Sequence, residues 1–499
     1  MRAFVLGRAE FLRILFLCFG FSLFAAIVSV AVTGFDQGMV FLELAFLSVI
    51  ALWPFMIRLG YVNLLHPVYW VCATFFFHIC VRGWLIALQW KPLQLSSTYL
   101  SHSDAIALLP EALLLSGAGL LLFYLGYFAG FGKAFGVRLR SKIPLRLRPS
   151  ACAVKWLFVL WILGCTFQIV SVQSGGAFWL SVIKSAEAQY NYAVVGPLDL
   201  LARLHKVSFV ALTALYFLRR KKQARLQLLL IFMVLVEAGF GVFSGYKQFI
   251  IQPFLMLLLA YSISGWKGRQ NIIKWGLALV LLLLFSGTLV VSFRAYALHL
   301  GPEAGTLAIL VQALSGMGES LGSVIDALGN RLVLDNLLLT LAYVPDPIPY
   351  AYGGTFLPKT LFSFIPQFIW PERNRVWSRD LFWELQGPYV GGTAPTLVGD
   401  LYFNFGILGV LSGMFLIGFL LRFIYEALCV WNQELLGGRI ILAVLLVTWF
   451  DITGGGLIHL LFPIVRDLPI AFLVIWLVNR LSSHASRHSS EWGVAANTV

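Results

Sequence analysis

Charged and aromatic side chains are unusually dense in residues 364–380, FIPQFIWPERNRVWSRD. The stretch holds three arginines, two carboxylates and two tryptophans: Arg373, Arg375, Arg379, Glu372, Asp380, Trp370 and Trp377. Arginine keeps its charge at physiological pH, and its planar guanidinium binds phosphate oxygens in pairs. Tryptophan faces can stack on sugar rings, although their default use is in the aromatic belt of a membrane surface. Together these residue types suit a ligand that carries both phosphate and sugar.

The composition is that of a membrane protein built from helices. The 499-residue chain is 60% hydrophobic and 12% charged, with a mean hydropathy of +0.87. Apolar runs of about 20 residues, the length that spans a hydrocarbon core, recur along the chain. Runs such as residues 277–291 are continuously apolar, which excludes the alternating pattern of a β-barrel strand. The sequence therefore predicts an all-α, polytopic integral membrane protein.

The apolar runs and the basic clusters together predict about twelve transmembrane helices with both termini in the cytoplasm. The predicted spans are 12–33, 39–57, 67–89, 107–131, 154–173, 198–217, 226–243, 248–265, 273–293, 396–421, 438–458 and 467–481. Basic clusters at 133–148, 219–225 and 267–274 then lie on the cytoplasmic side, as the positive-inside rule requires. The same rule accounts for the formal net charge of +14, so no nucleic-acid partner is expected.

This topology divides the chain into four parts. They are helices 1–9 (residues 1–293), an extracytoplasmic cap loop with amphipathic helices (294–395), helices 10–12 (396–481) and a cytoplasmic tail (482–499). Residues 454–469 could instead form a re-entrant turn. The arginines of residues 364–380 fall on the extracytoplasmic side, where positive charge opposes the topology bias. Something other than topology, such as ligand binding, is expected to keep them there.

Other outward-facing residues could join the loop arginines around one cavity. Arg294 and Arg466 lie at or near membrane ends, and Lys247 lies at the tip of a tight hairpin. Convergent cations of this kind would bind a pyrophosphate, whereas the alternative is snorkelling at the interface with local ion pairs. Asp400 could act in catalysis, or it could cap the helix that it begins or pair with an arginine. His459 could act as a base or pack within the bundle.

No sequence motif indicates a metal site or a nucleotide-binding loop. The D-x-D and H-E-x-x-H patterns are absent, and the six cysteines lie singly in or beside apolar spans without a Cys/His cluster. The G-x-x-x-x-G-K-[ST] phosphate-binding loop is absent as well. We therefore expect no metal and no cofactor, with cationic side chains doing what a divalent ion does in other transferases.

Two segments, residues 352–374 and 391–418, resemble the oligosaccharide repeat-unit polymerases, the Wzy-like O-antigen polymerase family. The matching positions are Ile365-Pro366, Trp370-Pro371, Gly399-Asp400-Leu401-Tyr402, Asn404-Phe405-Gly406 and Arg466-Asp467. Gln367 stands where that family has an arginine, so one of Arg373, Arg375 and Arg379 would take its role.

The resemblance implies a bacterial inner-membrane enzyme that polymerises lipid-linked repeat units of O-antigen, capsule or exopolysaccharide. A growing glycan would pass from undecaprenyl pyrophosphate to another lipid-linked unit by metal-independent glycosyl transfer at the outer face. The candidate catalytic residues are Arg294, Arg375, Arg379, Asp400 and Arg466. The candidate substrate-binding residues are Lys247, Arg373, Trp370, Trp377, Tyr352, Tyr402, Asn404 and His459. Expected partners are membrane lipids, a chain-length-regulating co-polymerase and a flippase.

An O-antigen ligase and a lipid-linked glycan flippase or other transporter are the alternatives. A ligase has a related architecture but uses the lipid A core as its acceptor. A transporter would place its charges within the spans at mid-membrane and would lack a long cap loop. Arg82 and Glu237 are the intramembrane charges that favour transport, unless each is paired with an opposite charge.

Overall fold

The computed structural model shows a helical protein. It describes residues 35–57, 63–88, 100–140, 150–173, 192–218, 224–244, 247–264, 306–315, 333–361, 396–429 and 436–495, with the single positions 142, 145, 147, 289, 292, 296, 381 and 385. Every regular element in these ranges is a helix and none is a strand. The prediction of an all-α protein is confirmed.

The described helices are named here in chain order. They are α1 (Phe35–Ile57), α2 (Pro67–Ala87), α3 (His102–Phe128), α4 (Gly130–Arg140), α5 (Ala151–Gln173), α6 (Tyr192–Leu218), α7 (Ala224–Ser244), α8 (Lys247–Ile263), α9 (Thr306–Ser315), α10 (Leu334–Tyr343), α11 (Leu357–Leu361), α12 (Leu397–Leu428), α13 (Leu436–Thr448) and α14 (Gly456–Ala495). A π-helical turn, Phe76–Val81, interrupts α2, and a 3-10 turn, Trp449–Asp451, follows α13.

Eight of these helices are long and apolar enough to cross a membrane, which makes the chain a multi-pass membrane protein. The eight are α1, α2, α3, α5, α6, α7, α12 and α14, and each overlaps a predicted span. The apolar part of α8, Ile251–Ile263, is shorter. Spans 12–33 and most of 273–293 lie outside the described residues, so the count of twelve stays a prediction.

The last two predicted spans are wrong in their boundaries. A single helix was expected over residues 438–458, but α13 ends at Thr448 and α14 already begins at Gly456 rather than at residue 467. Three consecutive glycines, ending at Gly456 with a φ of +72°, allow the chain to reverse here because glycine adopts positive φ without steric cost. The expected tail from residue 482 is also helical, since α14 continues to Ala495.

Close backbone contact through glycine holds α12 against α3. A Cβ added at Gly418 of α12 would lie 2.2 Å from the Phe123 carbonyl oxygen, and one added at Gly126 of α3 would lie 2.0 Å from the Phe415 oxygen. Small residues at such crossings let helices approach in lipid, where burial of apolar surface supplies no net drive between helices. The two glycines therefore fix α12 in place, and α12 in turn positions the site described below.

An alanine at Gly418 should loosen this crossing. The new methyl group would meet the backbone of α3, and overpacking of this kind costs roughly 1–3 kcal/mol. Gly239→Ala is the matched control, because no atom lies within 4 Å of the Cβ it would add to α7. Thermal unfolding in detergent, followed by fluorescence-detected size exclusion, should give a lower midpoint for Gly418→Ala and no loss for Gly239→Ala. Equal midpoints would contradict the packing of α12 on α3.

Candidate functional site

The connection between α13 and α14, residues 448–457, brings polar side chains of four helices together. Thr448 contacts a charged group on α14, Asp451 contacts a histidine on α2, and the Leu457 amide contacts a carboxylate on α12. A fourth contact comes from α6 through an arginine. The two faces of this connection carry different chemistry, one cationic and the other a histidine–carboxylate pair.

The first face is a cationic centre, defined here as Arg203, Lys206, Arg466 and Asp467. Asp467 is 2% exposed, and its Oδ1 accepts a hydrogen bond of 3.0 Å from Arg466 Nε. Arg203 Nε of α6 lies 3.7 Å from the same oxygen, and the Thr448 hydroxyl donates to Oδ2 over 3.2 Å. One buried carboxylate therefore holds two guanidinium groups.

Further polar and charged groups surround the cationic centre. Lys206, one turn beyond Arg203 on α6, donates a 2.7 Å hydrogen bond to the neutral Gln252 Oε1 of α8. Asp199, which accepts a hydrogen bond from Ser171, acts on Arg466 electrostatically, and Glu237 acts on Lys206. Buried charges of this kind need partners of opposite sign, because their desolvation is costly.

A narrow cleft leads to this centre. It is lined by Arg203, Lys206, Val207, Val210, Met256, Val444, Val447, Thr448 and Asp467. Its water-accessible volume is about 10 Å³, which is the room that one water molecule needs. This volume is too small for a phosphate.

Asp400, a candidate catalytic residue, is held by three hydrogen bonds. Its Oδ1 accepts from Thr355 Oγ1 at 2.7 Å and from Asn404 Nδ2 at 3.0 Å, and its Oδ2 accepts from the Leu457 N–H at 2.7 Å. The side chain is 2% exposed. These contacts tie the start of α14 to the first turn of α12. The N-cap of α12 is Thr396, whose side chain accepts from the Gly399 N–H, so Asp400 does not cap the helix that it was expected to begin.

Asn404 and the following residues lock the segment before α11 onto α12. Asn404 donates to Thr355 and accepts a 2.7 Å hydrogen bond from the Gly353 N–H. The helix breaks at Phe405 and Gly406, and carbonyls freed near the break accept from Ala351 and Tyr352. The Tyr402 and Tyr352 rings both lie near the Tyr350 ring, with centroids 6.3 Å and 6.1 Å away. The structure thus brings Tyr352, Asp400, Tyr402 and Asn404 together.

A histidine–carboxylate pair forms the second face of the connection. His78 Nε2, in the π-helical turn of α2, lies 2.6 Å from Asp451 Oδ1. Burial raises the pKa of the Asp451 carboxyl. The His78 hydrogen bond and the charges of His78 and His459 together lower the pKa by more than burial raises it, so the pKa lies below its ordinary value. The sequence showed only an isolated histidine and an isolated aspartate inside apolar runs, and their separation of 373 positions concealed the pair.

A second buried histidine pair lies between α5, α6 and α7. His205 Nδ1 is 2.7 Å from Glu237 Oε1, and the Trp161 N–H donates to the same oxygen over 3.0 Å. The donor atoms of Cys165, His205 and Glu237 lie within 4.8 Å of one another, and this set could hold a zinc-like ion. Sequence spacing showed no such cluster, because each residue comes from a different helix. The hydrogen bonds with His205 and Trp161 already provide partners for Glu237.

Both intramembrane charges that favoured transport are paired. Arg82 donates from Nε and a terminal nitrogen to the two oxygens of Asp335, at 3.0 Å and 2.6 Å. Glu237 is paired with His205 as described. The Arg82 pair joins α10, in the predicted cap loop, to α2. Both charges therefore have structural partners.

The remaining candidates are only partly placed. Lys247 is the first residue of α8, and His459 lies on α14 with its charge acting on Asp451. The other candidates lie outside the described residues: Arg294, Trp370, Arg373, Arg375, Trp377 and Arg379. The convergence of these arginines with Arg466 stays a prediction.

The contacts of Asp400 predict a structural effect of its substitution. Asp400→Asn replaces one acceptor oxygen by an amide that faces N–H or O–H donors, and an unsatisfied buried group costs roughly 1–3 kcal/mol. The thermal midpoint in detergent should fall, while Asp346→Asn, at an exposed position, should leave it unchanged. An unchanged midpoint combined with lost activity would show instead that Asp400 acts in catalysis.

Comparison with known proteins gives a family but not an activity. A family model described as a domain of unknown function, DUF8712, matches residues 171–458, which is more than half of the chain, so the chain belongs to that family. No curated protein and no solved structure shows significant similarity. The matched region includes Arg203, Lys206, Asp400 and Asp451 and ends before Arg466.

Proposed function

We propose that this member of the DUF8712 family polymerises lipid-linked oligosaccharide repeat units at the outer face of the bacterial inner membrane. The observation that carries the proposal is the cationic centre, in which three cations surround the buried Asp467 between membrane-spanning helices. The anionic group of a lipid pyrophosphate lies at the membrane surface, and its hydrocarbon chain lies in the bilayer. A cationic centre between membrane-spanning helices is therefore a suitable binding site for it. The resemblance of residues 352–374 and 391–418 to repeat-unit polymerases points to the same substrate.

Glycosyl transfer from a lipid pyrophosphate requires positive charge near the leaving group. In the transfer, an acceptor hydroxyl attacks the anomeric carbon of the donor glycan while the bond from that carbon to the pyrophosphate oxygen breaks. The pyrophosphate departs with the electron pair, and fixed cations stabilise the charge that grows on it. Arg466 and Arg203 would supply that charge, since a guanidinium binds phosphate oxygens in pairs and stays ionised.

The predicted cap completes the proposed site. Arg294 and the arginines of residues 364–380 would close over the phosphates from above, with Lys247 beside them. Trp370, Trp377, Tyr352 and Tyr402 would hold the sugar rings. Cationic side chains would then do the work of a divalent ion, and glycosyl transfer would need no metal. The acceptor would be another lipid-linked repeat unit of the same polysaccharide, which is an O-antigen, a capsule or an exopolysaccharide.

A lipid-linked glycan flippase is the second candidate, because the cationic centre lies within the spans. Arg203 and Asp467 fall inside the apolar windows Pro197–Leu218 and Gly456–Ser483. Asp467 is eleven residues into its helix, roughly 16 Å at 1.5 Å per residue, which is about half of a hydrocarbon core. A charge at this depth is consistent with a transport path.

A ligase is the third candidate. It would have the same geometry as the polymerase but would use a different acceptor.

Deletion of the gene in a bacterium with a known surface glycan separates the three functions. Loss of a polymerase leaves lipid A core, or its equivalent anchor, carrying one repeat unit. Loss of a ligase leaves unmodified core with polymer on the lipid carrier, and loss of a flippase leaves unmodified core with single units on the cytoplasmic side. The single-unit product is the result that we expect, and either of the other outcomes would overturn the proposal.

Substitution of Arg466 in the complemented strain tests the centre itself. Arg466→Ala should reduce polymerisation roughly a hundredfold to a thousandfold, the usual cost of one lost donor to a developing negative charge. Arg466→Lys should recover only part of it, because the charge remains while the planar fork is lost. Arg480→Ala is the matched control on the same helix, where Arg480 stacks on Trp476. Full-length glycan from a well-expressed Arg466→Ala variant would contradict a role for the centre.

A further inference from the structure

We propose that Asp451, held in place by His78, accepts the proton of the acceptor hydroxyl. The inference rests on the proposed polymerase function and assigns its general base. The proton leaves the hydroxyl oxygen for the Asp451 carboxylate. That hydroxyl oxygen forms the new bond to the anomeric carbon, and the pyrophosphate leaves with the electron pair of the broken bond.

The Asp451 carboxylate is the accessible one among the carboxylates near the connection. Its side chain is 49% exposed, whereas the side chain of Asp467 is 3% exposed and Asp400 is 2% exposed. Asp400 accepts three hydrogen bonds, and Asp467 contacts two guanidinium groups and a hydroxyl. A general base must reach the proton that it abstracts, so the exposed carboxylate is the one that can serve.

His78 is placed to orient Asp451. Its Nε2 faces Asp451 Oδ1 at 2.6 Å, while its Nδ1 is buried and has no hydrogen-bond partner. An ionised carboxylate accepts only, so Nε2 must carry the hydrogen. His78 is accordingly a hydrogen-bond donor that holds the Asp451 carboxylate in place.

The backbone around both residues is specialised. His78 lies in a π-helical turn, a feature found frequently at functional sites because it re-aims one side chain within a helix. A Cβ added at Gly454 would lie 2.5 Å from Asp451 Oδ1, so the glycine leaves room for the carboxylate.

The proton acceptor and the cationic centre share one short turn. Thr448, whose hydroxyl donates to Asp467, is three residues before Asp451. Along a 3-10 turn that separation is roughly 6 Å. Side chains three residues apart eclipse in a 3-10 turn, so Thr448 and Asp451 lie on the same side of it. A pyrophosphate at the cations and an acceptor hydroxyl at Asp451 would therefore be neighbours.

The low pKa of Asp451 gives the pH dependence. Burial alone would raise this pKa, and the charges that face the carboxylate among the described residues are His78 on α2 and His459 on α14. Because their combined effect lowers the pKa, the carboxylate stays ionised well into acid and the base form is lost only below its ordinary range. The His78 hydrogen bond is the largest of the effects that lower this pKa, so without it the pKa rises and activity should fail at a higher pH on the acid side.

The test uses the full-length protein in nanodiscs with a synthetic undecaprenyl-pyrophosphate-linked repeat unit. Asp451→Asn should lower the polymerisation rate roughly a hundredfold or more, as expected for loss of a general base. Its binding of undecaprenyl pyrophosphate, measured by native mass spectrometry, should be unchanged because the cationic centre is intact. His78→Leu should move the acid limb of the pH profile to higher pH, and His78→Gln, which retains a donor, should move it less.

The outcomes separate this inference from the function on which it rests. If the wild-type protein makes no polymer, the polymerase function fails and the assignment of its base fails with it. If the wild type is active and Asp451→Asn retains more than about a third of its rate, Asp451 is not the base. Should Asp451→Asn fail to fold, the His78→Leu profile decides, and an acid limb that does not move would overturn the inference.

Discussion

The hydrogen bond from the Leu457 amide to Asp400 is the contact on which the rest of the site depends. A helix begins with N–H groups that have no partner within the helix, and inside a membrane protein water cannot supply one. Asp400 fills that need from α12, and the Leu397 N–H returns a bond of 2.7 Å to the Thr453 carbonyl. These two bonds set where α14 starts. They therefore set the position of His459, Arg466 and Asp467 along it.

Charge compensation explains several of the buried charged groups. Arg82 has Asp335, and Glu237 has His205, so each of these costly groups has a partner from another helix. The cationic centre differs because two guanidinium groups share Asp467 and a lysine lies beside them. Two guanidinium groups on one carboxylate are the physical basis of the proposed phosphate-binding role.

Local features of the sequence predicted the architecture and one part of the site. Apolar run length gave the helices, and the G-D-L-Y-x-N-F-G stretch gave Asp400, Tyr402 and Asn404, which the structure brings together with Tyr352. The helix break at residues 449–455 was missed because the segment around Asp451 is mostly apolar, and only the three glycines indicated it. The pairs His78–Asp451 and His205–Glu237 could not be predicted, since they join helices that are far apart in the chain. The hydropathy of a helix does not indicate which other helix it packs against.

Reconstitution of the purified protein tests the central claim most directly, namely that a cationic centre in the bundle releases lipid pyrophosphate without a metal. The protein would be placed in nanodiscs with one synthetic lipid-linked repeat unit and excess EDTA. The account predicts a ladder of glycans, with one undecaprenyl pyrophosphate released for each unit added. Polymer that forms only after magnesium or manganese is restored would contradict it, and so would a protein that moves the lipid across a bilayer without joining units.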